Sequence, residues 1–233
     1  YVDAPLNEGA VVETRDQAHY LVNVMRQVAR DRVELFNGRD GAWSATIMQA
    51  GKRAVSMVCD GQTSPQSTPP DVELLFAPIK KARTDFIVEK ATELGVRRIR
   101  PVFTRFTNAE RVRPDKLRAH CVEAAEQCGG TYVPELLDAA PLETVLSEWS
   151  TGRKLMFCDE RMDGPDAASA LQQAGGGAWS ILIGPEGGFG PEESERLRAL
   201  PFATTVTLGP RILRADTAVV SALTLWQAAL GDW

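Results

Sequence analysis

From Val72 onward the sequence alternates between short apolar runs and longer segments of helical period, and few folds accept that pattern. Strands are predicted at Val72–Ala77, Ile99–Thr104, Lys154–Cys158, Ile181–Ile183 and Thr204–Leu208. Helices are predicted over residues 84–94, 115–128, 141–149, 166–174, 191–199 and 215–230. Alternating elements of this kind predict an α/β fold, a mostly parallel sheet covered on both faces. Gly190-Pro191-Glu192-Glu193 reads as a helix start, because proline suits the first turn and the acids suit the positive end of the helix dipole. The last helix is apolar almost all round from Ala218 to Trp226, so it is expected in the core or at a subunit interface.

Residues 1–62 follow another pattern. Short strands are predicted at Ala10–Glu13, Arg32–Phe36, Ala42–Ile47 and Ala54–Val58, and Asn37-Gly38-Arg39-Asp40-Gly41 is a strong hairpin signal. One helix is expected from about Asp16 to Gln27, with Leu21, Val24, Met25 and Val28 as its apolar residues. A small β-barrel with one helix fits these signals. The stretch Gly61–Pro70 is polar and proline-rich with no apolar period, so it reads as a linker. The expected organisation is a barrel at 1–62, a linker at 63–70 and an α/β domain at 71–233.

Composition narrows the chemistry. The chain is 44% hydrophobic and 24% charged, which excludes wholesale disorder. No apolar run approaches the ~18 residues of a membrane span. The opening Tyr1–Pro5 has neither a basic start nor an apolar stretch, so a cytoplasmic location is expected. Cys59, Cys121, Cys128 and Cys158 are too scattered for a disulfide framework and are expected as buried or partly buried free thiols. With His19 and His120 as the sole histidines, no metal site is expected. Arg, Asp, Glu, backbone and a bound small molecule must then supply the chemistry.

The net charge of −5 argues at first against a nucleic-acid partner, but the charge is unevenly spread. Residues 71–118 carry 12 Lys and Arg against 7 Asp and Glu, whereas residues 119–233 carry 7 against 16. A local basic face responds to phosphate whatever the total. A solvated helix face is the alternative reading of the same cluster.

Two strand ends stand out. Ile181-Leu182-Ile183-Gly184-Pro185-Glu186-Gly187-Gly188-Phe189-Gly190 is a buried strand running into a glycine-rich turn and a helix. Ligands in open α/β sheets sit beyond such carboxyl ends, where glycine lets backbone come close. The spacing matches neither the dinucleotide fingerprint nor the P-loop. Val206-Thr207-Leu208-Gly209-Pro210-Arg211-Ile212-Leu213-Arg214-Ala215-Asp216-Thr217 repeats the form, with Asp216 or Thr217 as candidate caps of the last helix.

These two Gly-Pro strand ends come with Lys81–Arg83, Glu89-Lys90-Ala91-Thr92-Glu93-Leu94-Gly95-Val96 and Glu126-Gln127-Cys128-Gly129. The set resembles the ribosomal RNA small subunit methyltransferase E family, and His19–Arg26 with the Phe36–Trp43 hairpin resembles that family's N-terminal domain. The resemblance spans nearly the whole chain. It implies a SPOUT-type α/β domain with a C-terminal trefoil knot, preceded by a PUA-like barrel that binds RNA. It further implies a homodimer that methylates N3 of a uridine in 16S rRNA, free or within the small ribosomal subunit, with S-adenosylmethionine as methyl donor. Two departures from the family pattern are Gly130, where Arg is common, and Asp216, where Glu is common.

By the same resemblance, Phe157, Ile183, Gly184, Pro185, Gly187, Gly188, Leu208, Gly209, Ile212, Leu213 and Thr217 would hold the cofactor. Arg214 would stabilise charge developing on the uracil oxygens. Asp216, or else Glu186, would position or accept the N3 proton, the alternative being that the carboxylate only orients Arg214. RNA phosphates would meet Lys80, Lys81, Arg83, Arg105, Arg111 and Arg113, with Arg26, Lys52 and Arg53 on the barrel. Two other readings stay open: a knotted methyltransferase acting on another RNA such as tRNA, and a non-catalytic RNA-binding or ribosome-assembly module.

Overall fold

The computed structural model describes residues 1–108, 112–161 and 164–233. It divides into two compact units, one of residues 1–68 with 129–132 and one of residues 69–128 with 133–233. Among the described residues no helix is long and apolar enough to cross a membrane.

The first unit is a four-stranded antiparallel sheet of β1 (Val11–Thr14), β2 (Arg32–Phe36), β3 (Ala42–Ala50) and β4 (Val55–Ser64), in the order β1-β4-β3-β2. Alternate residues Ala45, Ile47, Val55, Met57 and Cys59 enter its core beside Val12 and Leu35. The β2–β3 hairpin closes as its sequence requires: the Asn37 side-chain oxygen accepts from the backbone N–H of Arg39 at 3.0 Å and of Asp40 at 2.9 Å. The Asp40 carboxyl, which accepts the Leu6 N–H and the Asn37 amide, is held below the usual carboxylate range.

Two expectations for this unit need correction. Strand β4 runs on to Ser64, so the beginning of the expected linker is sheet. The helix expected from Asp16 to Gln27 is instead a π-helical turn, Tyr20–Val24, in which the Met25 N–H bonds back to the Tyr20 carbonyl. The wider turn throws the 3.6-residue stripe out of register. Leu21 packs on the core, but Val24, Met25 and Val28 are half exposed or more. Arg26 ends the turn at φ 58°, left-handed backbone that no helix continues through.

The second unit holds the parallel sheet. Its strands are β5 (Val72–Phe76), β6 (Arg98–Phe103), β7 (Glu135–Leu136), β8 (Ala140–Pro141), β9 (Lys154–Cys158), β10 (Trp179–Ile183) and β11 (Ala203–Val206). They follow the order β11-β9-β10-β5-β6-β7, with β8 also on β6. The two-residue β7 and β8 were too short to carry a periodic signal. The helices are α1 (Lys81–Glu93), α2 (Pro114–Cys128), α3 (Leu142–Ser147), α4 (Ala167–Ala174), α5 (Pro191–Ala199) and α6 (Ala215–Leu230). All lie within a few residues of their sequence-predicted bounds.

The central strands are largely apolar because both faces are covered. Val72, Leu74, Phe76, Met156, Ile181 and Ile183 point to one face, packed by α1, α2, α4 and α6. Leu75, Leu155, Phe157 and Leu182 point to the other, packed by α3 and α5. Helix α6 buries Val219, Ala222, Leu223 and Trp226 in the first face, and its buried Gln227 amide donates to the Leu94 carbonyl of α1 at 2.7 Å. The amino ends of the strands are clasped by charge. Arg153 donates to Asp71 at 2.8 Å, and Arg98 reaches the same oxygen. Burial alone would raise the Asp71 carboxyl, but the Arg153 hydrogen bond and the charges of Arg153, Arg98 and Arg97 bring it below its ordinary range. Cys59, Cys121 and Cys158 are buried, and burial pushes the Cys121 thiol up to about 11. Cys128, expected to be at least partly buried, is exposed. Its position at the end of α2 lies beyond the packed face of that helix.

Candidate active site

Parallel strands end on the same edge, so sheet order decides which loops meet there. Strands β11, β9 and β10 are neighbours, although their sequence order is different. The loops that follow them therefore converge on one cavity of about 690 Å³, walled by Cys158–Glu160, Ile183–Gly188, Thr207–Gly209 and Arg211–Ala215, with Lys80, Arg83 and Ala218 completing it. That volume lies within the range of small-molecule sites, roughly 300–1,000 Å³.

The glycines of these loops serve two purposes. Gly209 at φ +114° and Gly188 at φ +70° occupy left-handed backbone that lets the loops turn beside the cavity, with the Gly188 N–H bonded to the Pro185 carbonyl at 2.9 Å and both Gly209 backbone groups on the Thr207 hydroxyl. Gly184 instead makes room. A Cβ on Gly184 would stand 2.6 Å from the Phe189 ring, whereas one on Gly187 would meet the Phe106 Cβ at an ordinary 3.4 Å. The loops are also tied together: the Glu160 carboxylate accepts the Phe189 N–H at 3.0 Å, and Arg198 of α5 pairs with the buried Asp159. At the start of α5 one Glu193 oxygen accepts the Gly190 N–H at 2.8 Å, as its sequence suggested. The other accepts the Arg105 N–H at 2.8 Å.

The charged groups sort themselves differently from the sequence reading. Arg83 stands between two carboxylates, with Nη1 2.9 Å from Glu186 Oε1 and Nε 3.8 Å from Asp216 Oδ2. It therefore faces two acids of the site, where the sequence reading set it against RNA phosphate. Asp216 is occupied on its other oxygen too, which accepts the Thr217 N–H at 3.0 Å. Glu186 keeps its second oxygen without a partner among the described residues. Arg214 is exposed, lines the cavity and has no ion-pair partner among the described residues. It occupies the N-cap of α6 with no side-chain cap, the place the sequence reading gave to Asp216 or Thr217. The cation paired with Asp216 is thus Arg83, not Arg214.

Ile183, Gly184, Pro185, Gly187, Gly188, Leu208, Gly209, Ile212 and Leu213 all line the cavity. Phe157 does not: it is fully buried under the sheet's second face, its ring edge-on to Phe189 with centroids 5.2 Å apart. Thr217 is exposed on α6 and outside the lining. Of the basic residues, Lys80, Lys81, Arg105 and Arg113 are exposed in this unit, and Arg26, Lys52 and Arg53 are exposed in the first. Arg111 lies outside the described residues. Cys158, Asp159, Glu160, Thr207, Arg211 and Ala218 also line the cavity but were not singled out. Position alone could have found Asp159, Glu160 and Thr207, since each follows directly on a strand of the central sheet. Burial pushes the Cys158 thiol far up, which leaves it neutral and unreactive at the cavity wall.

Known proteins share this architecture. A ribosomal RNA small subunit methyltransferase E from Neisseria gonorrhoeae, bound to S-adenosyl methionine, superposes with a TM-score of 0.88 at 26% identity, covering 100% of this chain and 98% of the other. A putative methyltransferase from Legionella pneumophila in complex with SAM gives 0.87 at 26% identity, covering 99% and 96%. The ribosomal RNA small subunit methyltransferase E of Rickettsia conorii is 28% identical over 226 residues, 96% of this chain and 92% of the relative. A model for the RNA methyltransferase PUA domain matches residues 14–57. A model for the RNA methyltransferase domain matches residues 66–227, which take in the parallel sheet and all three loops around the cavity, and the chain therefore belongs to the RNA methyltransferase family.

Proposed function

We propose that this protein methylates N3 of a uridine in 16S rRNA with S-adenosylmethionine as donor. One observation carries the reading: three loops at the carboxyl ends of β9, β10 and β11 close on a single cavity, in a chain whose relatives of nearly equal length are small-subunit rRNA methyltransferases. The residues fit such a cofactor. Ile183, Leu208, Ile212 and Leu213 offer apolar walls, and Gly184, Gly187, Gly188 and Gly209 keep the loop surface free of side chains. When bound, the cofactor supplies an electrophilic methyl on a sulfonium sulfur.

The protein's own groups prepare the other reactant. N3 of uracil carries a proton and two flanking carbonyls, so it needs an acceptor for the one and a donor for the others. Glu186 has a free oxygen and is held in place by Arg83, so it takes the proton. Asp216 has one oxygen on the Thr217 N–H and the other 3.8 Å from Arg83, so its role is to position Arg83. Arg214, unpaired and exposed at the cavity, meets the negative charge that builds on the uracil oxygens. Exposed Lys80, Lys81, Arg105 and Arg113, with Arg26, Lys52 and Arg53 of the first unit, take RNA phosphates. The first unit acts as a PUA-like RNA-binding domain, supported by its family match. The same reading includes a C-terminal knot, a cytoplasmic role on the small subunit and a homodimer. The dimer is supported by the partly exposed apolar face of α6 at Val220 and Leu225.

The test is methyl mapping. Purified protein, S-adenosylmethionine and 16S rRNA from a strain lacking this gene should yield one methylated uridine, located by mass spectrometry. A methyl found on tRNA or on a ribose hydroxyl would move the activity to another RNA. No transfer, together with no rise in melting temperature on adding S-adenosylmethionine, would reject the enzyme reading.

A further inference from the structure

Beside the cofactor cavity, and sharing Lys80, Pro185 and Glu186 with it, lies a second depression of about 440 Å³. Its walls are apolar: Pro78, Ile79, Val112 and Leu117, with Phe106 among them. Phe106 is 40% exposed and presents its ring to the slot. Its place is set from behind. Its Cβ lies against Gly187 of the glycine-rich turn, and the Arg105 guanidinium lies 5.7 Å from the ring centroid. The rest of the lining is charged or polar. Lys80 and Lys116 have no acidic partner among the described residues. Lys81 is 3.7 Å from Asp85, and Arg113 is 3.0 Å from Asp115.

An apolar slot with an aromatic plate and a cationic lining suits one kind of molecule, a planar base on a phosphodiester chain. The base stacks on the ring and the phosphates meet the cations. An aliphatic ligand would leave the cations unused, and a free anion would leave the apolar walls unused. We propose that this slot receives the extruded pyrimidine nucleotide, its base stacked on Phe106 and its N3 edge turned toward Glu186. The orientation follows from the shared wall. Chemistry between the two cavities must cross at Lys80, Pro185 and Glu186, so the reacting edge faces them. Ribose and phosphates then point outward to Lys81, Arg113 and Lys116. Thr84, whose hydroxyl is bonded to Ile79 on both backbone groups at 3.0 Å, keeps that wall rigid. This assignment rests on the uridine methyltransferase reading and adds the place where the base sits before reaction.

Two measurements test it. Phe106→Ala should lower kcat/KM for 16S rRNA about ten-fold, the loss expected for one base–aromatic stack. S-adenosylmethionine affinity and melting temperature should stay unchanged, and Phe106→Tyr should restore the rate. Full activity in Phe106→Ala, or an equal loss of cofactor affinity, would overturn the slot. Independently of any RNA activity, uridine 5′-monophosphate added with S-adenosylhomocysteine should shift the NMR amide signals of residues 79–85, 112–113 and 115–117. Shifts elsewhere, or none, would overturn it as well. If the wild-type protein leaves 16S rRNA unmethylated while the nucleotide still binds in the slot, the rRNA reading fails and the subsite stands.

Discussion

Gly184 offers a sharp test of how the cofactor loop is built. Its backbone is not left-handed, so Gly184→Ala adds no strain and removes some freedom from the unfolded chain, a gain of about 0.4–1 kcal/mol. Against this stands the Phe189 ring. The new Cβ would lie 2.6 Å from Cε2, 3.0 Å from Cζ and 3.1 Å from Cδ2. Resting carbon contacts are about 3.5–4.0 Å, so something must move by roughly 1 Å. The ring has nowhere to swing: it is 5% exposed, packed edge-on against Phe157, and its backbone N–H is bonded to Glu160. Overpacking of this kind costs about 1–3 kcal/mol and outweighs the entropic gain. The net loss of about 1–2 kcal/mol should appear in urea unfolding followed by tryptophan fluorescence, and as a Tm lower by roughly 2–8 °C. Phe189→Leu alone leaves a void and costs about 1 kcal/mol or more. Combined, the two changes relieve each other, because the added methyl enters space the ring vacated. The double variant should be more stable than the sum of the single losses by about 1 kcal/mol. Additivity within about 0.3 kcal/mol would refute the claim that Gly184 is small in order to seat Phe189.

Three further outcomes follow from the charges. Arg214→Ala should lower the single-turnover methyl-transfer rate about 10²–10³-fold while cofactor affinity persists, and a near-normal rate would dismiss its role at the uracil oxygens. Glu186→Gln should slow transfer more than Asp216→Asn does, as read in single-turnover rates; the reverse order would return the proton to Asp216. For Asp71 the folded carboxyl titrates below the unfolded one, so its contribution to stability is present above about pH 4 and is lost as pH falls toward the folded value. Asp71→Asn should therefore weaken the protein at pH 7 and shrink its loss of stability between pH 5 and 3, as seen in denaturation midpoints.

The alternation of strand and helix, the Pro191 helix start and the apolar run of α6 were local properties, set by residues within a turn or two of each other. They could be read directly, and so could the two glycine-rich strand ends, because a buried strand that stops at Gly-Pro declares its own carboxyl end. Pairing was different. Arg83 lies 103 residues from Glu186 along the chain, and no periodicity links them; the parallel order of β9, β10 and β5 puts their loops on one edge. Phe157 and Glu160 were misjudged or missed for the same reason, since one residue along a strand end decides whether a side chain enters the core or the cavity. The π-turn at Tyr20–Val24 shows the converse. A helical stripe was present in the sequence, but the left-handed backbone at Arg26 and the wider turn left most of it facing water. Local sequence governs which elements form and where they stop; the order of strands in the sheet governs which charges meet, because it alone brings distant strand ends to the same place.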